Sequence, residues 1–127
     1  MGKAVVLIIE DEALIRMDAV SMVEDAGFVV VEASNADDAI KILDSRHDIE
    51  VVFTDINMTG SMDGLKLAHF IRRRWPPIHL IVTSGMEVPS DEEMPMNGRF
   101  IRKPYTAAHV AAALSEFRPA AQQNNVR

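Results

Sequence analysis

The chain has 127 residues and a formal net charge of −6, with 48% hydrophobic and 25% charged residues and no cysteine. That length builds one domain able to bury most of its apolar surface without staples, and the lack of cysteine excludes disulfides, thiolate metal sites and cysteine nucleophiles. The acidic balance argues against a general nucleic-acid surface, no apolar stretch approaches the ~20 residues of a membrane span, and no signal peptide is readable, so cytoplasm is the expected location.

Ala4 to Ile9 is continuously apolar, as a parallel strand covered on both faces requires. Ala13, Met17, Val20 and Val23 follow at helical spacing, and Gly27 stops that helix. Phe28 to Val31 reads as a second strand, and Asn35 as the N-cap of a helix whose inner face is Ala36, Ala39, Ile40 and Leu43. Val51 to Thr54 is the third strand. After the turn-rich stretch Thr59 to Gly64, Leu67, Phe70 and Ile71 mark a helix that Trp75-Pro76-Pro77 ends. Arg72-Arg73-Arg74, the one basic run, falls at that helix end, where cations complement the macrodipole and no ligand is needed.

Ile78 to Val82 is the fourth strand and Phe100-Ile101 a short fifth. Between them Met86 to Gly98 carries Pro89, Pro95 and Asp91-Glu92-Glu93, leaving room for only a turn or two of helix. Met86, Met94 and Met96 cluster there, with core filling expected ahead of an adaptable binding surface. A last helix starts near Thr106, with Val110, Ala113, Leu114 and Phe117 facing inward. Strand and helix thus alternate throughout, which predicts a single α/β domain over residues 1–118 built on a parallel sheet, followed by a frayed tail over 119–127.

In open α/β sheets, ligands bind outside the carboxyl ends of the strands. Glu10-Asp11, Asp55, Thr83-Ser84 and Lys103 all fall at such ends. Each has an ordinary structural explanation alone: an acidic first helical turn, a turn cap, a hydroxyl cap, a surface lysine. Placed together they form one charged pocket. Two carboxylates about 4 Å apart repel by roughly 4 kcal/mol at an effective dielectric near 20, so a cluster of three requires a cation. Mg²⁺ suits it, binding one or two carboxylates, waters and phosphate oxygens. A carboxylate so placed is a nucleophile toward phosphorus.

The motifs Ile8-Ile9-Glu10-Asp11-Glu12, Thr54-Asp55-Ile56-Asn57-Met58 with Asp63-Gly64, Ile81-Val82-Thr83-Ser84-Gly85 and Arg102-Lys103-Pro104-Tyr105, in that order, resemble the receiver domains of two-component response regulators over roughly Lys3 to Phe117. The resemblance implies a flavodoxin-like, doubly wound sheet of strand order 2-1-3-4-5, here with a shortened or irregular fourth helix. It implies that Asp55 accepts a phosphoryl group from a sensor histidine kinase or a histidine phosphotransfer protein. Glu10, Asp11, Asp55 and the backbone carbonyl of Asn57 would hold Mg²⁺, and Lys103 would pair with the phosphoryl oxygens. Thr83 and Phe100 would be the switch residues, and the Lys103-Pro104 bond would be cis. Output would be the binding of a downstream protein target, with neither nucleic acid nor membrane as partner and no enzymatic turnover beyond the domain's own phosphoryl chemistry. No further module follows Phe117 in this sequence, so a single-domain receiver is expected.

Two other functions compete. A Mg²⁺-dependent phosphohydrolase with an aspartate nucleophile needs a second acid two residues later, where this chain has Asn57. A phosphorylation-independent interaction domain would not need the full set of reactive groups. The chain also departs from the family's pattern: the loop after Asp55 has Thr59 where proline is common and one extra residue before Asp63-Gly64, and Ser84 is the small residue that leaves the site reachable.

Overall fold

The computed structural model describes residues 3–117. Five parallel strands, β1 (Val5–Ile9), β2 (Val29–Ala33), β3 (Ile49–Asp55), β4 (His79–Ser84) and β5 (Arg99–Arg102), form one sheet of order β2-β1-β3-β4-β5. The helices are α1 (Ala13–Asp25), α2 (Ala36–Ser45), α3 (Gly64–Arg74) and α4 (Ala107–Ser115). The tail expected to fray from Pro119 lies outside the described residues. No helix among them is long and apolar enough to cross a membrane.

The pleat explains why β1 is apolar at every position: alternate residues feed two separate cores. Val5, Leu7 and Ile9 join Val52, Leu80 and Val82 beneath α2 and α3, against Ala36, Ala39, Leu43, Leu67, Ala68 and Ile71. Val6 and Ile8 join Val51, Phe53 and Ile81 on the other face, covered by Ala19 and Val23 of α1 and Val110, Ala113 and Leu114 of α4. Each fully buried Leu, Ile, Val or Phe contributes about 1.5–3 kcal/mol, so the central strands dominate stability. Because α1 and α2 cover opposite faces, the crossovers part between β1 and β3, and a crevice opens at their carboxyl ends.

The caps follow the sequence. Asn35 and Asp63 accept from the backbone N–H of Asp38 and Lys66, at 2.8 and 2.9 Å, and Thr106 caps α4 through His109 N–H. Gly27 takes a left-handed φ of 98° after α1.

α1 differs from the expected face. Val23 is buried and Val20 packs on the core as expected, but Met17 is 62% exposed and Ala13 is exposed, their places taken by buried Ala19 and by Met22. Apolar residues are spread around this helix, Leu14 also pointing outward, so spacing alone does not select the stripe that meets the sheet.

The region 86–98 agrees with the turn or two expected there: in place of a full crossover helix it holds a single turn. Ser90 and Glu93 form a reciprocal capping box, Ser90 N–H donating to Glu93 Oε1 at 2.9 Å and Glu93 N–H to Ser90 Oγ at 3.3 Å. Pro89 and Pro95 stop it from propagating. The turn is fastened to α3, where His69 Nε2 donates to Glu93 O at 2.6 Å and Arg72 Nε to Met96 O at 2.9 Å. Of the three methionines expected to fill core, only Met94 packs inward, while Met86 and Met96 are 84% and 75% exposed.

The basic run is structural. Arg72 also donates to Pro76 O and Ile78 O, each at 2.7 Å, and Arg74 pairs with Asp44 at 2.8 Å while lying over the Trp75 ring.

Candidate functional site

Glu10 continues β1 by donating its N–H to Ala33 O at 3.1 Å, and Asp11 begins the turn into α1. Asp55 is the last residue of β3, and the β3–β4 register sets Thr83 directly beside it. Lys103 follows β5, its N–H donating to Ser84 O at 3.0 Å, and the Lys103-Pro104 peptide bond is cis. Gly64, at the start of α3, lies so close to the end of β3 that a Cβ there would stand 1.7 Å from Asp55 O. Only glycine lets the helix approach the reactive strand end this closely.

One carboxylate oxygen from each of Glu10, Asp11 and Asp55 lies within 4.8 Å of the other two. Lys103 Nζ bridges the cluster, donating to Glu10 Oε1 at 3.0 Å and standing 3.3 Å from Asp55 Oδ1. The second approach is an ion pair, and Asp55 Oδ1 is buried without a full hydrogen-bonding partner. Thr83 Oγ1 is the other such atom among the described side chains. A buried polar atom without a partner costs about 1–3 kcal/mol. Both are neighbours across one register step, which marks the place where a ligand would complete them.

The charges push in opposite directions. Burial raises the Asp55 carboxyl above its ordinary value and the Asp11 charge adds to this, outweighing Lys103 and the Asn57 backbone N–H that donates to it. Burial likewise raises Glu10, outweighing its hydrogen bonds from Lys103 and from the Glu12 backbone N–H. For Lys103, burial alone would lower the ammonium, but the hydrogen bond to Glu10 and the charge of Asp55 hold it above the ordinary lysine value. Tyr105, packed on Phe53 at 5.6 Å, is pushed up to about 12 by burial and by the Glu10 and Asp55 charges, so its phenol stays neutral.

Octahedral Mg²⁺ with bonds of 2.0–2.1 Å sets its ligand oxygens roughly 2.9–4.2 Å apart, so the carboxylate spacing fits the ion after a movement of about half an ångström. The donor set is all oxygen, as Mg²⁺ prefers.

A pH dependence follows. A carboxyl whose folded pKa is raised binds more protons folded than unfolded, so these two groups' contribution to metal-free stability is greatest below the ordinary values of 3.8 and 4.5 and falls as pH rises through the folded values. Mg²⁺ binds the deprotonated cluster and reverses that loss. The melting-temperature gain from Mg²⁺ is therefore expected to be larger at about pH 8 than at about pH 5; a gain equal at both, by scanning calorimetry, contradicts the site.

Glu10, Asp11, Asp55, Thr83 and Lys103 thus come together, with Asn57 reaching Asp55 through its backbone. Phe100 lies one strand further out, in register with Val82, half-buried against the core beneath α2 and α3. Sequence reasoning passed over two contributors. Arg16 Nη1 donates to Glu10 O at 2.7 Å while its Nε donates to Glu32 at 3.1 Å, fixing the turn that presents Glu10 and Asp11. Ser84, read as a strand-end hydroxyl cap and as a small residue, is fully buried and its Oγ also donates to Asn57 Oδ1 at 2.9 Å. A single arginine or serine carries no spacing signal from which such contacts are read.

Sheet order, strand-end carboxylates and bridging lysine together define a flavodoxin-like receiver. The family profile described as the response regulator receiver domain matches residues 6–115, and the chain belongs to that family. It is 30% identical over 119 residues to the sensor kinase CckA of Brucella abortus, covering 91% of this chain and 12% of that protein. It is 37% identical over 86 residues to a putative response regulator NtrX-like protein of Rickettsia felis, covering 67% of this chain and 18% of that one. The chain therefore spans only a small part of these curated relatives. Among solved structures, a response regulator receiver protein from Sinorhizobium medicae superposes with a TM-score of 0.77 at 30% identity, over 91% of this chain and 94% of that one.

Proposed function

We propose that Asp55 accepts a phosphoryl group from a phosphohistidine, carried by a sensor histidine kinase or a histidine phosphotransfer protein, and that the modified domain changes its affinity for a downstream protein target. The observation that carries this reading is Lys103 Nζ standing between Glu10 Oε1 and Asp55 Oδ1, beside a cluster of three carboxylates.

A carboxylate oxygen of Asp55 attacks phosphorus, the phosphorus–nitrogen bond to the donor imidazole breaks, and its electron pair returns to the imidazole ring. No strong base is needed, because the deprotonated carboxylate is itself the nucleophile; positioning and charge neutralisation are what the protein supplies. Glu10, Asp11, Asp55 and the Asn57 carbonyl would hold Mg²⁺, which when bound neutralises charge on the transferring group. Lys103 shifts from Asp55 to the phosphoryl oxygens, and the unpartnered Thr83 hydroxyl donates to another of them, a contact absent before modification. Each new bond biases the domain toward a second conformation by no more than its differential strength. The phosphohydrolase alternative lacks its acid, since the residue two places on is Asn57.

The test is incubation with acetyl phosphate and Mg²⁺ followed by mass spectrometry. One phosphoryl group on Asp55 is expected, lost on adding a chelator; a group on any other residue, or uptake indifferent to chelation, overturns the reading. Removing one charge-assisted contact costs about 1.5–3 kcal/mol, so Lys103→Ala is expected to slow uptake on the order of 10- to 150-fold while leaving Mg²⁺ affinity equal or higher.

A further inference from the structure

The loop that joins β3 to α3 is pinned at both ends and exposed at its apex. Ile56 O accepts the Met58 N–H at 3.1 Å and the Gly64 N–H at 2.9 Å, and Met58 and Met62 pack on the core beneath α2 and α3. Thr59, Gly60 and Ser61, between the two methionines, are exposed. This apex still makes two hydrogen bonds to other parts of the chain. The Thr59 N–H donates to Asp11 Oδ2 at 3.4 Å, and the Ser61 hydroxyl donates to Asp37 Oδ1, in the first turn of α2, at 2.7 Å. Threonine at 59 leaves an amide proton free for Asp11, which a proline would not have.

We infer that Ser61 and Asp37 are positioning residues: their hydrogen bond clasps the loop to α2, keeps the Thr59 amide on Asp11, and so sets the affinity of the carboxylate cluster for its divalent ion. This role rests on the proposed function, to whose site it adds two residues that do not touch the cluster. The two bonds differ in strength. A hydroxyl on a carboxylate at 2.7 Å is short and charge-assisted, whereas an amide at 3.4 Å is long and holds nothing by itself. The clasp therefore decides where the apex lies, and the apex decides whether Asp11 is held. Among the described residues the Thr59 amide is the one hydrogen bond that reaches the Asp11 carboxylate. Without it that half-buried side chain must be ordered when the ion arrives, which weakens binding.

The experiment titrates the full ¹⁵N-labelled chain with Mg²⁺ and reads the dissociation constant from the Asp11 and Asp55 amides. Removing a direct outer-shell partner typically costs about 10- to 100-fold in metal affinity, so the clasp, one bond further out, is expected to cost about 3- to 10-fold. Ser61→Ala and Asp37→Ala should each lose that factor, and the double variant should lose no more than either alone. Ser61→Thr keeps the hydroxyl and Asp37→Asn keeps the accepting oxygen, so both should bind within about twofold of the wild type. A residue that merely stabilised the fold would lower the melting temperature in chelator and leave the dissociation constant unmoved. Wild-type affinity in both alanine variants overturns the clasp. So does Asp37→Asn binding as weakly as Asp37→Ala, which would assign the effect to the Asp37 charge, and so do losses that add in the double variant. If the Asp11 and Asp55 amides of the wild type do not respond to Mg²⁺ at all, the proposed site itself fails, a result distinct from each of these.

Discussion

Asp55→Asn is expected to make the metal-free protein more stable while abolishing its phosphoryl chemistry. Asp55 is 4% exposed and its carboxyl is raised by burial, so at neutral pH the folded state bears a charge that it holds less favourably than the unfolded chain does. Asparagine keeps the shape and removes that charge. Because the raised folded value makes the carboxylate destabilising above the ordinary value of 3.8, the gain should be present at neutral pH and should vanish as pH falls below the ordinary value. A rise of roughly 4 °C or more in melting temperature in chelator is expected, the shift that about 1 kcal/mol produces in a domain of this size. Uptake from acetyl phosphate should fall to background, and Mg²⁺ affinity should drop at least about tenfold with one carboxylate ligand gone. A melting temperature unchanged or lowered at pH 7 would show that the carboxylate is not held under charge strain.

Gly64→Ala is expected to be the most damaging single methyl in the molecule. Its Cβ would lie 1.7 Å from Asp55 O, 2.6 Å from Asp55 C and 3.0 Å from Ile56 Cα, all backbone atoms that no rotamer change moves aside. Either α3 lifts from the sheet, exposing Leu67, Ala68 and Ile71, or the end of β3 shifts and takes the Asp55 carboxylate with it. A loss above about 3 kcal/mol is expected, beyond ordinary overpacking because the neighbours are main chain. Mg²⁺ binding by whatever remains folded should weaken as well. Gly60→Ala is the control: Gly60 has a φ of 118° but its nearest neighbour is Asn35 Cβ at 3.9 Å, so only backbone strain of about 1 kcal/mol applies. Urea denaturation that ranks Gly60→Ala as the worse of the two contradicts the close approach.

Patterns that repeat were legible in the sequence. Five apolar runs, the cap at Asn35, the helix start near Thr106, the Trp75-Pro76-Pro77 stop and the chemical residues at strand ends all signal through spacing or residue type, and each has its counterpart in the structure. α1 misled because its apolar residues do not favour one face, so its orientation was decided by contact with β1 and α4. The segment 86–98 was legible through its prolines, which leave room for the single turn that forms. Its Ser90–Glu93 capping box starts a helix locally, but Pro95 and the fastening of Glu93 O and Met96 O to α3 decide against one. The Arg16 contacts and the Ser84–Asn57 contact were illegible for another reason: each joins residues whose proximity exists only after the sheet is assembled.

Trp75 and Tyr105 are the chain's single tryptophan and single tyrosine, and the fold sets them at opposite ends of the sheet. Trp75 sits where β4 begins, edge-on to Phe70 at 6.1 Å and beneath the Arg74 guanidinium at 4.9 Å. Tyr105 follows Lys103 at the reactive end. Indole emission from this molecule is therefore expected to follow the melting of the α3 terminus and to respond little to metal or phosphoryl arriving at the crevice. An intrinsic reporter of unfolding, set at the pole away from the chemistry, is thus present without any label.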